Sequence, residues 1–231
     1  MSKTNNNWII FNNKNSLSRV LALEILNIAE KSIFKKNFFS IVLTGGQSTL
    51  SLYKILSESD SNWSKWHVYI SDERFLPKNH EDRNDSNIYK IWLNDSLIPK
   101  ENIHFIQAEL GLVSAQNKYE RMLNKVDKFD VLLLSIGEDG HISSLFPGHK
   151  YCEIGNVVIE RNSPKLPKER ISMSYNRLNN TVNVFKIVTG EHKQIIVKKL
   201  LDGDKFPANY INGKVETFFI HADSMPNIKR K

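Results

Sequence analysis

The chain has one cysteine, no long apolar run and few punctuating residues. A lone cysteine, Cys152, can neither form an internal disulfide nor build a cysteine-rich zinc site, so a reducing compartment is expected. The longest aliphatic run, Val131 to Leu134 extended by Ser135 and Ile136, is far below the roughly 20 residues that cross a bilayer. The opening residues MSKTNNNWIIF lack a basic stretch followed by an apolar one and a small-residue cleavage site. A cytoplasmic location with no membrane partner is the expectation. Seven prolines and 10 glycines exclude collagen-like or low-complexity chains. No basic helix with interleaved aromatics occurs. The basic residues are scattered, with short clusters at Lys35-Lys36, Lys198-Lys199 and Lys229-Arg230-Lys231, so a nucleic-acid partner is not expected.

What the chain does have is a globular composition, with 40% hydrophobic and 25% charged residues among 231. That length and composition predict one compact domain over 1–231. Its 32 basic against 25 acidic residues leave a net charge of +7, which favours anionic partners such as phosphorylated small molecules.

Strand and helix patterns alternate along the chain. Strands are predicted at Trp8–Phe11, Phe38–Leu43, Trp66–Ser71, Ile103–Ile106, Phe129–Ile136, Val157–Glu160, Ile171–Ser174, Val182–Val188 and Glu216–His221. Leu17, Leu21, Ile25, Ala29 and Ile33 have helical spacing, with Asn15 or Ser16 as the expected cap. Further helices are expected around Leu50–Leu56, Ile88–Leu93 (capped by Asp85 or Ser86), Ser114–Val126 and Glu191–Leu201. Continuous apolar strands separated by helices indicate an α/β fold, with a mostly parallel sheet and helices on both faces. Ligands in such folds sit beyond the carboxyl ends of the strands. The loops starting at Thr44, Ser71 and Gly137 all fall there.

Four constellations could carry chemistry. After one strand come Gly45, Gly46, Gln47 and Ser48, a glycine turn into a helix that suits a phosphate, or is simply a tight turn. It lacks the Gly-Lys-Ser/Thr ending of a P-loop, and no G-x-G-x-x-G occurs. The second is Ser71-Asp72-Glu73-Arg74, in which Asp72 and Arg74 share a face and Glu73 is expected in a solvated ion-pair turn. The third is Gly137-Glu138-Asp139-Gly140-His141, following the most apolar strand; His141 can act as a base with Asp139 fixing its tautomer. The other six histidines have no such setting, and no His-x-x-x-His or G-x-S-x-G spacing supports a metal site or a serine nucleophile. The fourth pairs Arg170 and Lys193, which together with the glycine turn could surround a phosphate dianion.

LTGGQSTLSLYKIL, SDERFLP with Ser86-Asn87, FDVLLLSIGEDGHISSLFPG, RISMSYNRLNN, VFKIVTGEHK and Pro207-Ala208, in that order, resemble the glucosamine-6-phosphate isomerase/6-phosphogluconolactonase family on its lactonase side. The resemblance implies a Rossmann-like fold, as in glucosamine-6-phosphate deaminases, and a hydrolase of the pentose phosphate pathway that needs no cofactor and no metal. The implied substrate is 6-phospho-D-glucono-1,5-lactone, with His141 as base, Asp139 as its orienter, Arg74 or a nearby backbone amide at the oxyanion, and Asp72 on Arg74 or a sugar hydroxyl. Gly45 to Ser48, Arg170 and Lys193 would take the phosphate. A monomer or weak homodimer is expected. The deaminase group carries Asn-Glu-Pro where Leu145-Phe146-Pro147 stands here, and Phe146 cannot move a proton; a binding protein without catalysis is the other alternative. Departures from the family pattern are Gln47-Ser48-Thr49, Ser135 and His221.

Overall fold

The structure is a computed structural model that describes residues 7–152 and 154–226. The first strand, β1 (Asn7–Phe11), leads through Asn13 into the long helix α1 (Lys14–Lys36). Asn13 caps this helix, its side chain accepting from the amides of Asn15 and Ser16. The cap therefore sits two to three residues before the expected Asn15 or Ser16; all three are residue types that can cap, so composition alone did not separate them. The helix ends at Asn37, whose left-handed φ of 64° turns the chain and whose amide returns to the Ile33 carbonyl.

The order continues with β2 (Phe39–Leu43), α2 (Leu50–Ser57), β3 (Trp66–Ile70), β4 (Asp72–Arg74), α3 (Asn84–Ile91), β5 (Ile103–His104), α4 (Leu112–Leu123) and β6 (Phe129–Ser135). Then come β7 (Val157–Glu160), β8 (Arg170–Met173), α5 (Tyr175–Asn179), β9 (Thr181–Val188), α6 (Gln194–Leu201) and β10 (Val215–His221). Helix α3 begins earlier than expected, so Asp85 lies inside its first turn, where the Arg83 guanidinium holds it, rather than at the cap. The chain around Lys193 is a 3-10 turn, Glu191–Lys193, that precedes α6.

Seven strands form one sheet in the order β1-β10-β9-β6-β2-β3-β5, and every pairing in it is parallel. All residues of β2 and all but the last of β6 are buried. Neighbouring side chains of a strand face opposite ways, so burial of both sets requires cover on both faces. Each large apolar side chain removed from water there contributes about 1.5–3 kcal/mol. One buried polar group is tied in at the foot of the sheet: Asp130 accepts from the Ser40 amide and hydroxyl and from Lys36.

The strands expected at Val157–Glu160 and Ile171–Ser174 do not join this sheet. With β4 they make a separate antiparallel sheet, β4-β8-β7, in which Arg74 lies opposite Arg170. This second sheet stands beside the carboxyl end of β3 and walls one side of the cleft described next. Among the described residues no helix is long and apolar enough to cross a membrane.

Candidate active site

A cleft of about 490 Å³ opens where β2, β3, β6 and β9 end. Its first wall is the glycine turn. The Tyr53 hydroxyl of α2 pins Thr44 by donating to its carbonyl and accepting from its amide, which fixes the exit from β2. Gly45 then passes so close to Asn84 that an added Cβ would fall 1.8 Å from the Asn84 Oδ1. Gly46 takes a φ of 99°, a conformation side chains rarely adopt, and a 3-10 turn over Gln47–Thr49 feeds α2. Across the mouth, the Thr189 hydroxyl at the end of β9 donates to the Ser48 hydroxyl.

The second wall is β4. Asp72 and Arg74 both face the cleft. The Asp72 carboxylate accepts from the Ser144 hydroxyl at 2.6 Å and from the Ser71 hydroxyl at 3.2 Å. It forms no ion pair with Arg74 among the described residues, so the expectation that Asp72 holds Arg74 is corrected: the two serines take its oxygens. Arg74 donates through Nη1 to the Asp82 carbonyl, and its buried Nε has no partner. Glu73 also departs from expectation. It is fully buried on the opposite face, accepting from the amides of Arg74, Asn84 and Asp85. Burial, then the adjacent Asp85 carboxylate, pushes its carboxyl upward in pKa. Three backbone donors make it an anchor joining β4 to α3 rather than part of a solvated turn.

The third wall is the loop after β6. The Gly137 amide donates to the His141 carbonyl and the Gly140 amide to the Gly137 carbonyl, coiling the chain back on itself. The coil brings the Asp139 Oδ1 within 2.5 Å of the His141 Nδ1, and the same oxygen accepts the His141 amide. Burial opposes the charge on Asp139, but the hydrogen bond and charge of His141 outweigh it and bring the carboxyl down to about 2. With Nδ1 engaged from behind, Nε2 is the ring atom left for a ligand. The Phe146 ring packs 4.7 Å from the imidazole. Gly140 presses on Phe206, and its carbonyl accepts from the Ala208 amide, so Pro207-Ala208 buttress the loop.

Arg170 and Lys193 complete the enclosure. Arg170 is buried, donating through Nε to the Pro167 carbonyl and through Nη2 to those of Lys165 and Leu166. Burial lowers the pKa of both cations. That desolvation strengthens their pull on an anion. Every residue given a catalytic or phosphate-binding role from the sequence therefore borders this one cleft, except Asp139, which stands directly behind His141. Sequence reasoning missed Asn84, Ser143, Lys165 and Lys14, which also border it. Of the family departures, Ser135 borders the cleft at the end of β6, and His221 is buried at the end of β10 with Nδ1 3.2 Å from Asp223. Among the described residues no three or more His, Cys, Asp or Glu side chains gather as a metal site requires.

Comparison with known proteins places the chain in a family. The family described as glucosamine-6-phosphate isomerases/6-phosphogluconolactonase matches residues 12–219. The chain is 33% identical over 217 residues to 6-phosphogluconolactonase 3, chloroplastic, of Arabidopsis thaliana, covering 85% of this chain and 67% of that protein. It is 30% identical over 195 residues to 6-phosphogluconolactonase of Thermotoga maritima, covering 81% and 86%. The crystal structure of the Thermotoga maritima 6-phosphogluconolactonase matches with a TM-score of 0.87 at 26% identity, over 94% of this chain and 99% of that one. A monomeric glucosamine-6-phosphate deaminase shares the fold, with a TM-score of 0.80 at 18% identity over 94% and 98%.

Proposed function

Because the chain belongs to the glucosamine-6-phosphate isomerase/6-phosphogluconolactonase family, we propose that it hydrolyses 6-phospho-D-glucono-1,5-lactone to 6-phosphogluconate in the pentose phosphate pathway. The observation that carries this reading is the Asp139–His141 pair standing in the same cleft as the glycine turn, Arg170 and Lys193. The phosphate rests on the Gly45–Ser48 turn with Arg170 and Lys193 as counter-charges, which fixes the distance from the phosphate to the lactone carbonyl. Asp139 accepts from Nδ1 and keeps the imidazole in the tautomer whose Nε2 is a base.

His141 Nε2 removes a proton from water as the water oxygen attacks the lactone carbonyl carbon. The electron pair of the C=O bond moves to oxygen, and the unpartnered Arg74 Nε is the donor best suited to that oxyanion. As the tetrahedral species collapses, the bond to the ring oxygen breaks and the His141 proton passes to it. Asp72, held by two serines, remains available to a sugar hydroxyl through its remaining lone pairs. An activated ester needs little more than positioning and one base, each contributing on the order of 10²-fold or more.

The sister activity, aldose-ketose isomerisation with loss of ammonia, needs a proton-transferring group where Phe146 lies. That side chain is buried and apolar, packed on His141 and under Arg170. One domain spanning the chain, acting in the cytoplasm as a monomer or weak homodimer without nucleic-acid or membrane partners, completes the proposal. Incubation with the lactone and, separately, with glucosamine 6-phosphate tests it. Acid release from the first and no ammonia from the second is expected; ammonia release would overturn it.

A further inference from the structure

Three non-glycine residues among those described have a positive φ: Asn37, Asn79 and Ser143. Asparagine tolerates that conformation well; serine does so less readily. Ser143, at φ 49°, forms the tip of a tight turn closed by the Ile142 and Leu145 backbones, two residues beyond His141. It is only 7% exposed, borders the cleft, and its buried Oγ has no hydrogen-bond partner. Its neighbour Ser144 is fully satisfied by contrast, donating to Asp72 from the hydroxyl and to the Ser172 Oγ from the amide. An unusual backbone conformation and an unpaired buried hydroxyl both cost stability in the free protein. Such costs persist where a ligand supplies the missing partner.

The phosphate end of the cleft is built by the glycine turn, Arg170 and Lys193, whereas Ser143 belongs to the loop that carries the base. The group it meets is therefore at the lactone end. Resting on the lactonase reading above, we propose that the Ser143 hydroxyl hydrogen-bonds the C2 hydroxyl next to the lactone carbonyl, making Ser143 a specificity-determining residue for 2-hydroxylated lactones. The turn fixes the Ser143 backbone at the cleft, and rotation about its single side-chain torsion turns the hydroxyl toward the substrate. A substrate lacking the C2 hydroxyl leaves Ser143 unpaired in the complex, which is how a site built around a hydroxyl rejects its deoxy analogue.

The test measures kcat/KM on 6-phosphogluconolactone and on the same lactone lacking its C2 hydroxyl, for wild type, Ser143→Ala and Ser143→Gly. Glycine suits a φ of 49°, so the second variant removes the hydroxyl without backbone strain. Both variants should lose about 3- to 10-fold on the full lactone and almost nothing on the deoxy analogue. The shape of the pH profile should not move, since His141 and Asp139 are untouched. Unchanged activity on the full lactone, or an equal loss on both substrates, overturns the assignment. Wild-type protein inert on the full lactone while folded would instead overturn the lactonase reading, and this inference with it.

Discussion

Gly137 and His141 fit so closely that a methyl group on the glycine would fall 2.0 Å from the imidazole Nδ1 and 2.7 Å from the Asp139 Oδ1. The missing side chain is what allows base and orienter to meet across the coil. Gly137→Ala should therefore abolish most turnover by displacing the ring, while affinity for 6-phosphogluconate, held at the phosphate end, changes little. Steady-state rates beside calorimetric binding of the product check this. A fully active variant would mean that the ring position is not critical.

Removing the orienter separates position from basicity. Asp139→Asn keeps the size of the side chain but loses the charge facing Nδ1, and kcat should drop on the order of 10²-fold. In the wild type the Asp139 carboxyl lies at about 2, below its ordinary 3.8. The sign follows: its contribution to stability is complete above pH 3.8 and is lost as pH falls toward 2. The Asp139 carboxylate therefore stays ionised well above pH 2, and its charge keeps facing Nδ1 there.

The phosphate anchor is best tested at Lys193, because Arg170 also holds the carbonyls of Lys165, Leu166 and Pro167 and its loss would disturb the wall itself. Lys193→Met should raise KM for the phosphorylated lactone about 10- to 100-fold and leave kcat nearly unchanged. Hydrolysis of unphosphorylated gluconolactone should not respond. Equal losses on both substrates would place Lys193 in the chemistry instead.

Far from the cleft, the His67 Nδ1 lies 3.2 Å from the His104 Nε2, and their rings stack parallel. Burial, then the neighbouring His67, lowers His104 from 6.5 to about 4; burial, then Lys36, lowers His67 as well. Between those two values the unfolded chain binds more protons than the folded one, so stability is complete above pH 6.5 and declines as pH falls toward 4. Urea midpoints across this range should fall for wild type and fall less steeply for His104→Gln.

The main sheet was legible because a parallel strand buried on both faces reads as an apolar run, as in Val131 to Leu134. The glycine brackets around His141 were legible because the coil they permit has no substitute. Two strands of the β4-β8-β7 sheet were also legible, Val157–Glu160 in full and Ile171–Ser174 to within one residue; their antiparallel pairing with each other and with β4, whose three residues Asp72, Glu73 and Arg74 are all charged, was not. Alternation placed Asp72 and Arg74 on one face correctly. It could not reveal that α3 waits on the other face with amides for Glu73, nor that Ser144 arrives from 72 positions away to occupy Asp72. Ser143 carries its signal in a backbone angle, which composition does not record.

The central claim is that the His141 imidazole activates water at the lactone carbonyl. Acid release from freshly prepared 6-phosphogluconolactone, followed at constant pH for wild type, His141→Ala and buffer alone, tests it most directly. The account predicts wild-type release far above buffer and a loss of about 10²- to 10⁴-fold in kcat for His141→Ala, with 6-phosphogluconate still bound. A His141→Ala protein that hydrolyses the lactone as fast as wild type would contradict it.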